Sequence, residues 1–245
     1  MIFLAALRAT ICLPTYNERD NLEQMLRALA GVLRDGDRVL VIDDGSPDGT
    51  GALADELALE LGFVDVLHRT QKEGLGPAYI AGFRHVLTTD AELVLEMDCD
   101  FSHDPADVPR LIAAAEEGAD IALGSRYVAG GGIPDWGLAR RAVSAAGNVY
   151  ARVILGGGVH DLTGGFKCFR RAVLETIDLN AIDSKGYAFQ IETTYRAIRA
   201  GFRVVEVPIT FVDRKRGGSK MSRAIVLEAV WKVPLLRAQA LVGRL

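Results

Sequence analysis

The chain has 245 residues, 49% of them hydrophobic and 24% charged, with a formal net charge of −4. That length suits a single core of up to about 250 residues, and the mildly acidic balance excludes a partner such as nucleic acid drawn in by a global positive field. Cys12, Cys99 and Cys168 stand singly in apolar runs with no C-x-x-C pair, which argues against a disulfide scaffold or a cysteine zinc site and predicts reduced, buried thiols in a cytoplasmic protein.

The opening MIFLAAL is too short to span a bilayer and lacks the charged front and cleavage site of a secretory signal, so it is expected to lead into the first strand. TICLP is that strand, followed by a helix near 19–33 whose far end should leave Arg34 exposed. RDGDR, with Asp35 and Asp37, reads as a solvated turn. RVLVID, a helix near 50–61, FVDVLH, a helix near 75–88 and ELVLEMD continue the alternation. The pattern predicts an α/β fold, a Rossmann-like, mostly parallel sheet with helices on both faces and ligands at the carboxyl ends of its strands. The second half reads as a fifth strand DIALGSR, a Gly-rich loop at 129–132, a helix near 138–155, DLTGGFKCFRR, a helix near 187–200 and FRVVEVPITFVDRKRGGSK. No linker or internal repeat divides residues 1–222, and 223–245 reads as a separate C-terminal amphipathic helix.

The chemistry gathers at the strand exits. In LVLEMDCDFSHDP, period-two alternation points Asp98 and Asp100 the same way and Cys99 into the packing. Two adjacent carboxylates need a cation, and hard oxygen ligands suit Mg²⁺ or Mn²⁺ with positions left for substrate phosphates. VIDDGSPDGT suits hydrogen bonds to a nucleobase or ribose, and equally an N-capping turn. PTYNE offers the Tyr16 ring, Glu18 as acceptor and Asn17 to brace the turn. QKEGLG is no dinucleotide fingerprint, because Tyr79 stands where the third glycine belongs.

In their order and spacing PTYNE, DDGSPDGT, DCDFSH, GSRY, GYAFQIE and RGGSK resemble a family 2 glycosyltransferase of the GT-A fold, over about residues 10–222. The late motifs are most similar to the dolichyl or polyprenyl phosphate mannose synthases, which move mannose from GDP-mannose to a lipid phosphate. Lipid-phosphate glucosyltransferases using UDP-glucose are the alternative. The resemblance implies that Pro14, Tyr16, Glu18, Ile42 and Asp44 line the nucleotide. It also implies that Asp98 and Asp100 hold the metal on the diphosphate, with Cys99 between them and Ser102 where some relatives carry a Gln ligand.

Such a reaction inverts the anomeric centre. A phosphate monoester, with a second pKa of about 6, is a ready nucleophile without a general base, so His103 is assigned to packing or turn bracing. Cations are needed instead, and Arg126, Arg214, Lys215, Arg216 and Lys220 offer them. Arg126, Arg214 and Lys220 are the candidates for the acceptor phosphate, and the glycines of DRKRGGSK suit a loop that closes. DRKRGGSK reads otherwise as a solvated loop.

In the last helix Leu227, Val230, Trp231, Pro234, Leu235, Ala238 and Leu241 form an apolar stripe opposite Glu228, Lys232 and Gln239. Spanning would bury Lys232 and Arg237 at roughly 2.5 to 3.5 kcal/mol each, so the helix is expected to lie in the membrane interface or dock on protein. The protein is then peripheral at the cytoplasmic face of a membrane, with a separate membrane-anchor protein as a possible partner. Two other classes compete. A sugar nucleotidyltransferase needs a Gly-rich basic loop after the first strand, where PTYNERDNL stands instead. A non-catalytic nucleotide-sugar sensor would bind without turnover.

Overall fold

A computed structural model of the chain describes residues 7–184, 186–213, 223–243 and 245. The first half runs β1 (Ala9–Thr15), α1 (Arg19–Ala30), β2 (Arg38–Asp43), α2 (Thr50–Leu61), β3 (Val64–His68), α3 (Leu75–Val86) and β4 (Leu93–Glu96). A 3-10 turn at Pro105–Asp107, α4 (Val108–Glu116) and β5 (Ile121–Ser125) follow. The remainder is α5 (Leu138–Leu155), β6 (Lys167–Arg170), α6 (Arg171–Thr176), α7 (Gly186–Arg199), β7 (Val204–Pro208) and α8 (Arg223–Leu241).

Seven strands form one sheet in the order β3-β2-β1-β4-β6-β5-β7. All run parallel except β6, which is antiparallel to both β4 and β5. Alternation along the strands feeds two cores. Ile11, Leu13, Val39 and Val41 pack under α1, α2 and α4, while Cys12, Leu40, Ile42 and Val94 pack under α3, α6 and α7. Helices on both faces are the consequence. At Gly82 of α3 a Cβ would stand 2.4 Å from Ile42 Cδ1, so the missing side chain lets that helix lie close on β2. All three cysteines are free and buried.

Two helices, α4 and α6, were not expected from periodicity. The 3-10 turn that leads into the first is nevertheless written locally. Asp104 accepts the Ala106 N–H at 2.9 Å and Pro105 takes the first turn.

The Asp35–Asp37 turn is solvated at Asp35 but not at Asp37. Asp37 is buried and accepts the N–H groups of Ala9 at 2.9 Å and Arg34 at 3.1 Å. Its other partner is the Arg34 guanidinium at 3.0 Å, which also binds Glu116 at 2.7 Å and the Leu7 carbonyl at 2.6 Å. Arg34 is therefore a clasp between α1, β1 and α4, not an idle exposed end. Asp37→Ala strips two backbone donors of their acceptor, so unfolding free energy in a urea titration is expected to fall by about 1 to 3 kcal/mol. The strand exits, at the opposite ends of the strands, should be undisturbed.

The last helix also differs from expectation. Of its expected apolar stripe, Val230, Trp231, Pro234, Leu235, Ala238 and Leu241 face solvent, and the Leu227 side chain lies outside what the structure describes. Val233, Leu236 and Ala240 face inward onto α5 and α7, and Lys232, expected on the polar side, reaches in to Asp183 and Glu192. Pro234 removes the N–H that would bind the Val230 carbonyl, and the Tyr150 hydroxyl of α5 donates to that carbonyl at 2.7 Å instead.

Candidate active site

β4 ends at Glu96, so Asp98 and Asp100 stand on the turn beyond it and not on the strand. They share a direction because the turn is held, not because of strand alternation. Phe101 takes a left-handed φ of 60°, a conformation that costs a bulky residue energy and persists only where surroundings enforce it. The enforcement is visible: Asp100 accepts the Ser102 N–H at 3.0 Å, and His103 Nδ1 accepts the Asp98 N–H at 3.1 Å. His103 stacks on Phe166 at 4.8 Å, and burial pushes its pKa down to about 4. A neutral imidazole with Nδ1 already accepting is a brace, as the sequence suggested.

The β1 exit is fastened to the β2 exit. Asn17 has a left-handed φ of 56° and donates its N–H to Ser46 Oγ at 3.0 Å, and Glu18 donates its own to Thr50 Oγ1 at 3.0 Å. Asp48 accepts from Thr50 N at 3.0 Å, so part of DDGSPDGT is the expected helix-start turn. Asp44 is buried, pairs with Arg69 and accepts the Gly74 N–H at 3.2 Å.

These exits surround a cavity of about 400 Å³. Pro14, Glu18, Asp98, Cys99, Asp100, Ser102 and Arg126 of the expected residues line it. Tyr16 stands at its edge, its ring under the Lys72 ammonium at 3.8 Å, and Lys72 is itself a wall. Ile42 is wholly buried under α3 and Asp44 lies behind the wall, so neither side chain faces the cavity. Arg214 and Lys220 lie outside the described residues, as do Lys215 and Arg216.

Arg126 is buried and gripped by Asp161, through Nε at 2.7 Å and Nη2 at 2.6 Å, with Thr163 Oγ1 at 2.8 Å. Burial opposes its charge, but the Asp161 hydrogen bonds and charge outweigh that and hold its pKa above the ordinary value. The guanidinium also lies 5.4 to 5.9 Å from the Tyr127, Trp136 and Phe211 rings.

Sequence reasoning did not assign Lys72, Trp136, Arg140 or Gln190, all of which line the cavity. Arg140 lies 3.9 Å over the Trp136 ring and pairs with Asp213 at 2.8 Å. Gln190, inside the GYAFQIE motif, accepts from the buried Lys167, whose ammonium is 3.5 Å from Glu96. Burial pushes Glu96 up to about 7 and Lys167 down. A lone Lys or Trp in a loop carries no periodic signal, so only the motif holding Gln190 pointed here.

The family described as Glycosyl transferase family 2 matches residues 10–178, from β1 into the stretch after α6. This chain is a family 2 glycosyl transferase. Among curated proteins the transferase is 52% identical to the polyprenol monophosphomannose synthase of Mycolicibacterium smegmatis, over 92% of this chain and 85% of that one. It is 49% identical to the undecaprenyl-phosphate mannosyltransferase of Micrococcus luteus, over 93% of each. A crystal structure of glucosyl-3-phosphoglycerate synthase from Mycobacterium tuberculosis, in complex with Mn²⁺, uridine diphosphate and phosphoglyceric acid, superposes with a TM-score of 0.66 at 21% identity. That alignment covers 94% of this chain and 79% of that one. Its likeness establishes for this transferase the GT-A fold expected from the motifs.

Proposed function

We propose that this transferase moves mannose from GDP-mannose to a polyprenyl phosphate, with inversion, giving a polyprenyl phosphate β-mannose. The reading is carried by the two relatives at about half identity over nearly the whole chain, both mannosyltransferases by name and both named for a polyprenyl-type acceptor. The cavity agrees with it in chemistry. One wall carries the paired carboxylates Asp98 and Asp100, and the others carry Lys72, Arg126 and Arg140, so a site for a diphosphate and a phosphate has cations around it without a general base.

The donor set suits a divalent cation of the Mg²⁺ or Mn²⁺ kind. Among the described residues no group of three or more His, Cys, Asp or Glu side chains gathers, so the protein offers two carboxylates, beside which the buried Ser102 hydroxyl has no hydrogen-bond partner. Such a set leaves coordination positions for phosphate oxygens and water. Bound there, the ion supplies Lewis-acid neutralisation of the charge that builds on the leaving diphosphate. The residues do the rest. Pro14 and Glu18 bound the nucleotide end, with Tyr16 and Lys72 at its rim. Arg126, its orientation set by Asp161, faces the phosphate that attacks. Arg214 and Lys220 complete that cationic side. Residues 1–222 are the catalytic unit, and 223–245 carry α8 on its flank.

No helix among the described residues is long and apolar enough to cross a membrane. Peripheral attachment at the cytoplasmic face, directly or beside a membrane-anchor protein, follows from the acceptor.

The test incubates the protein with a short-chain polyprenyl phosphate and either GDP-mannose or UDP-glucose, followed by mass spectrometry of the lipid. Mannosyl lipid is expected, with transfer lost in excess EDTA and restored by added Mg²⁺ or Mn²⁺. Glucosyl lipid alone would replace mannose as the sugar. Full activity in EDTA would remove the metal.

A further inference from the structure

Gln190 of α7 lines the cavity although only 2% of it is exposed. Its amide has a fixed sense. Lys167, wholly buried at the start of β6, donates from Nζ to Gln190 Oε1 and, at 3.1 Å, to the main-chain carbonyl of Gln190. An ammonium has donors only, so the amide oxygen is the end turned to Lys167 and Nε2 is the end turned away.

Lys167 is held in turn by Glu96. The two are cross-strand partners in the β4–β6 ladder, and the ammonium stands 3.5 Å from Glu96 Oε2. Burial pushes the Glu96 carboxyl up, and the Lys167 charge and the Gln190 amide oppose that, so one amide hydrogen leans toward Glu96. The NH₂ group has a second. Nε2 makes no hydrogen bond of normal geometry among the described residues, and a buried donor in that condition calls for an explanation.

Room for a ligand atom lies beside it. A Cβ built on Gly165, another wall residue, would stand 3.3 Å from Gln190 Nε2 and 3.8 Å from His103 Cε1. Because position 165 has no side chain, a notch stays open between the amide and the edge of the imidazole. His103 braces the Asp98 N–H, which puts the notch beside the carboxylate turn. Phosphates call for cations and charge-assisted bonds, whereas a neutral N–H in a buried notch suits a neutral oxygen such as a hydroxyl.

We propose that Gln190 Nε2 donates a hydrogen bond to a hydroxyl of the hexose being transferred, and that Lys167, fixed by Glu96, is the positioning residue that keeps the amide turned to donate. This role rests on the nucleotide-sugar reading of the cavity and deepens it by naming the group that holds the sugar, as distinct from the nucleotide and the phosphates. The bound hydroxyl supplies the acceptor that Nε2 lacks, and an amide already oriented loses no freedom when the sugar arrives.

Equilibrium titrations of the whole protein in Mn²⁺ compare GDP-mannose with GDP. Gln190→Met leaves Lys167 its bonds to the main-chain carbonyl at 190 and its pairing with Glu96. It is expected to weaken GDP-mannose by about fivefold to a hundredfold, the scale of one hydrogen bond lost in a buried site, with GDP unchanged. One monodeoxy GDP-mannose should show the same loss on the parent and no further loss on Gln190→Met, which identifies the hydroxyl. Lys167→Met with Glu96→Leu removes the buried pair together, so no charge is stranded. This variant is expected to show a smaller part of the loss, again with GDP unchanged, because the ligand must then order a free amide.

Unchanged GDP-mannose affinity in Gln190→Met would overturn the proposal. Equal losses for GDP and GDP-mannose would do the same, since a merely structural side chain does not distinguish them. Parent affinity in the Lys167→Met, Glu96→Leu variant would remove Lys167 as the positioning residue. A parent that ignores GDP-mannose and binds UDP-glucose would refute the donor reading, and UDP-glucose against UDP then decides on Gln190 by the same measure.

Discussion

Asp100→Asn is expected to lower the transfer rate by about a hundred- to a thousandfold, the scale seen when one directed electrostatic contact to a developing charge is removed, while the protein folds as before. The fold is spared because an asparagine oxygen can still accept the Ser102 N–H that Asp100 holds at 3.0 Å, and because removing one of two neighbouring carboxylates relieves repulsion. What disappears is one of the two charges of the proposed cation site. Titration of the variant with GDP and Mn²⁺ should therefore show a large loss of metal-dependent binding at an unchanged unfolding midpoint. Asp37→Asn, in the other D-x-D, is the opposite case: its place is a buried clasp with Arg34, so its effect should fall on stability and leave transfer per folded molecule intact. A transfer rate for Asp100→Asn close to that of the parent would take the carboxylate turn out of the mechanism.

The second large effect is on folding. Asp161 is wholly buried and its carboxylate accepts from the Arg126 backbone at 3.0 Å, two guanidinium nitrogens of Arg126, Thr163 Oγ1 at 3.2 Å and Asn148 Nδ2 at 3.5 Å. Asp161→Ala leaves the Arg126 charge buried without its counterion, and breaking a pair in this way costs about 3 to 5 kcal/mol. Urea unfolding should register that loss. Replacing both partners by apolar residues, Asp161→Leu with Arg126→Met, is expected to recover much of the stability and none of the transfer. The pair then serves to aim a cation at the cavity, since a buried ion pair is a weak source of stability in itself. Recovery of transfer in the double variant would show that Arg126 has no part in the chemistry.

Much of this could be read from the chain alone because it depends on short stretches. The strands RVLVID and TICLP, the helices at 50–61 and 138–155 and the alternation of strands and helices through the first half follow from local periodicity, which backbone geometry imposes within a few residues. The carboxylates of DCDFSH and the motif order needed only adjacency and sequence.

Other features depended on contacts between distant segments. Asp35 and Asp37 resemble a solvated turn until β1 and α4 are brought against them, and then Asp37 is a buried acceptor and Arg34 its clasp. The insertion of β6 antiparallel between β4 and β5 is a choice of partner, which KCFR cannot encode by itself. Arg126 carries the same formula whether solvated or gripped, and Asp161, 35 positions away, decides which. The last helix makes the distinction sharpest. Its sequence determined that it would be a helix with an apolar stripe and too many charges to span a bilayer. Which face is covered was decided by α5 and α7, whose surfaces accept Val233, Leu236 and the Lys232 ammonium and leave Trp231 outside. Periodicity can say that a face is apolar, but only the neighbouring elements determine whether that face is buried.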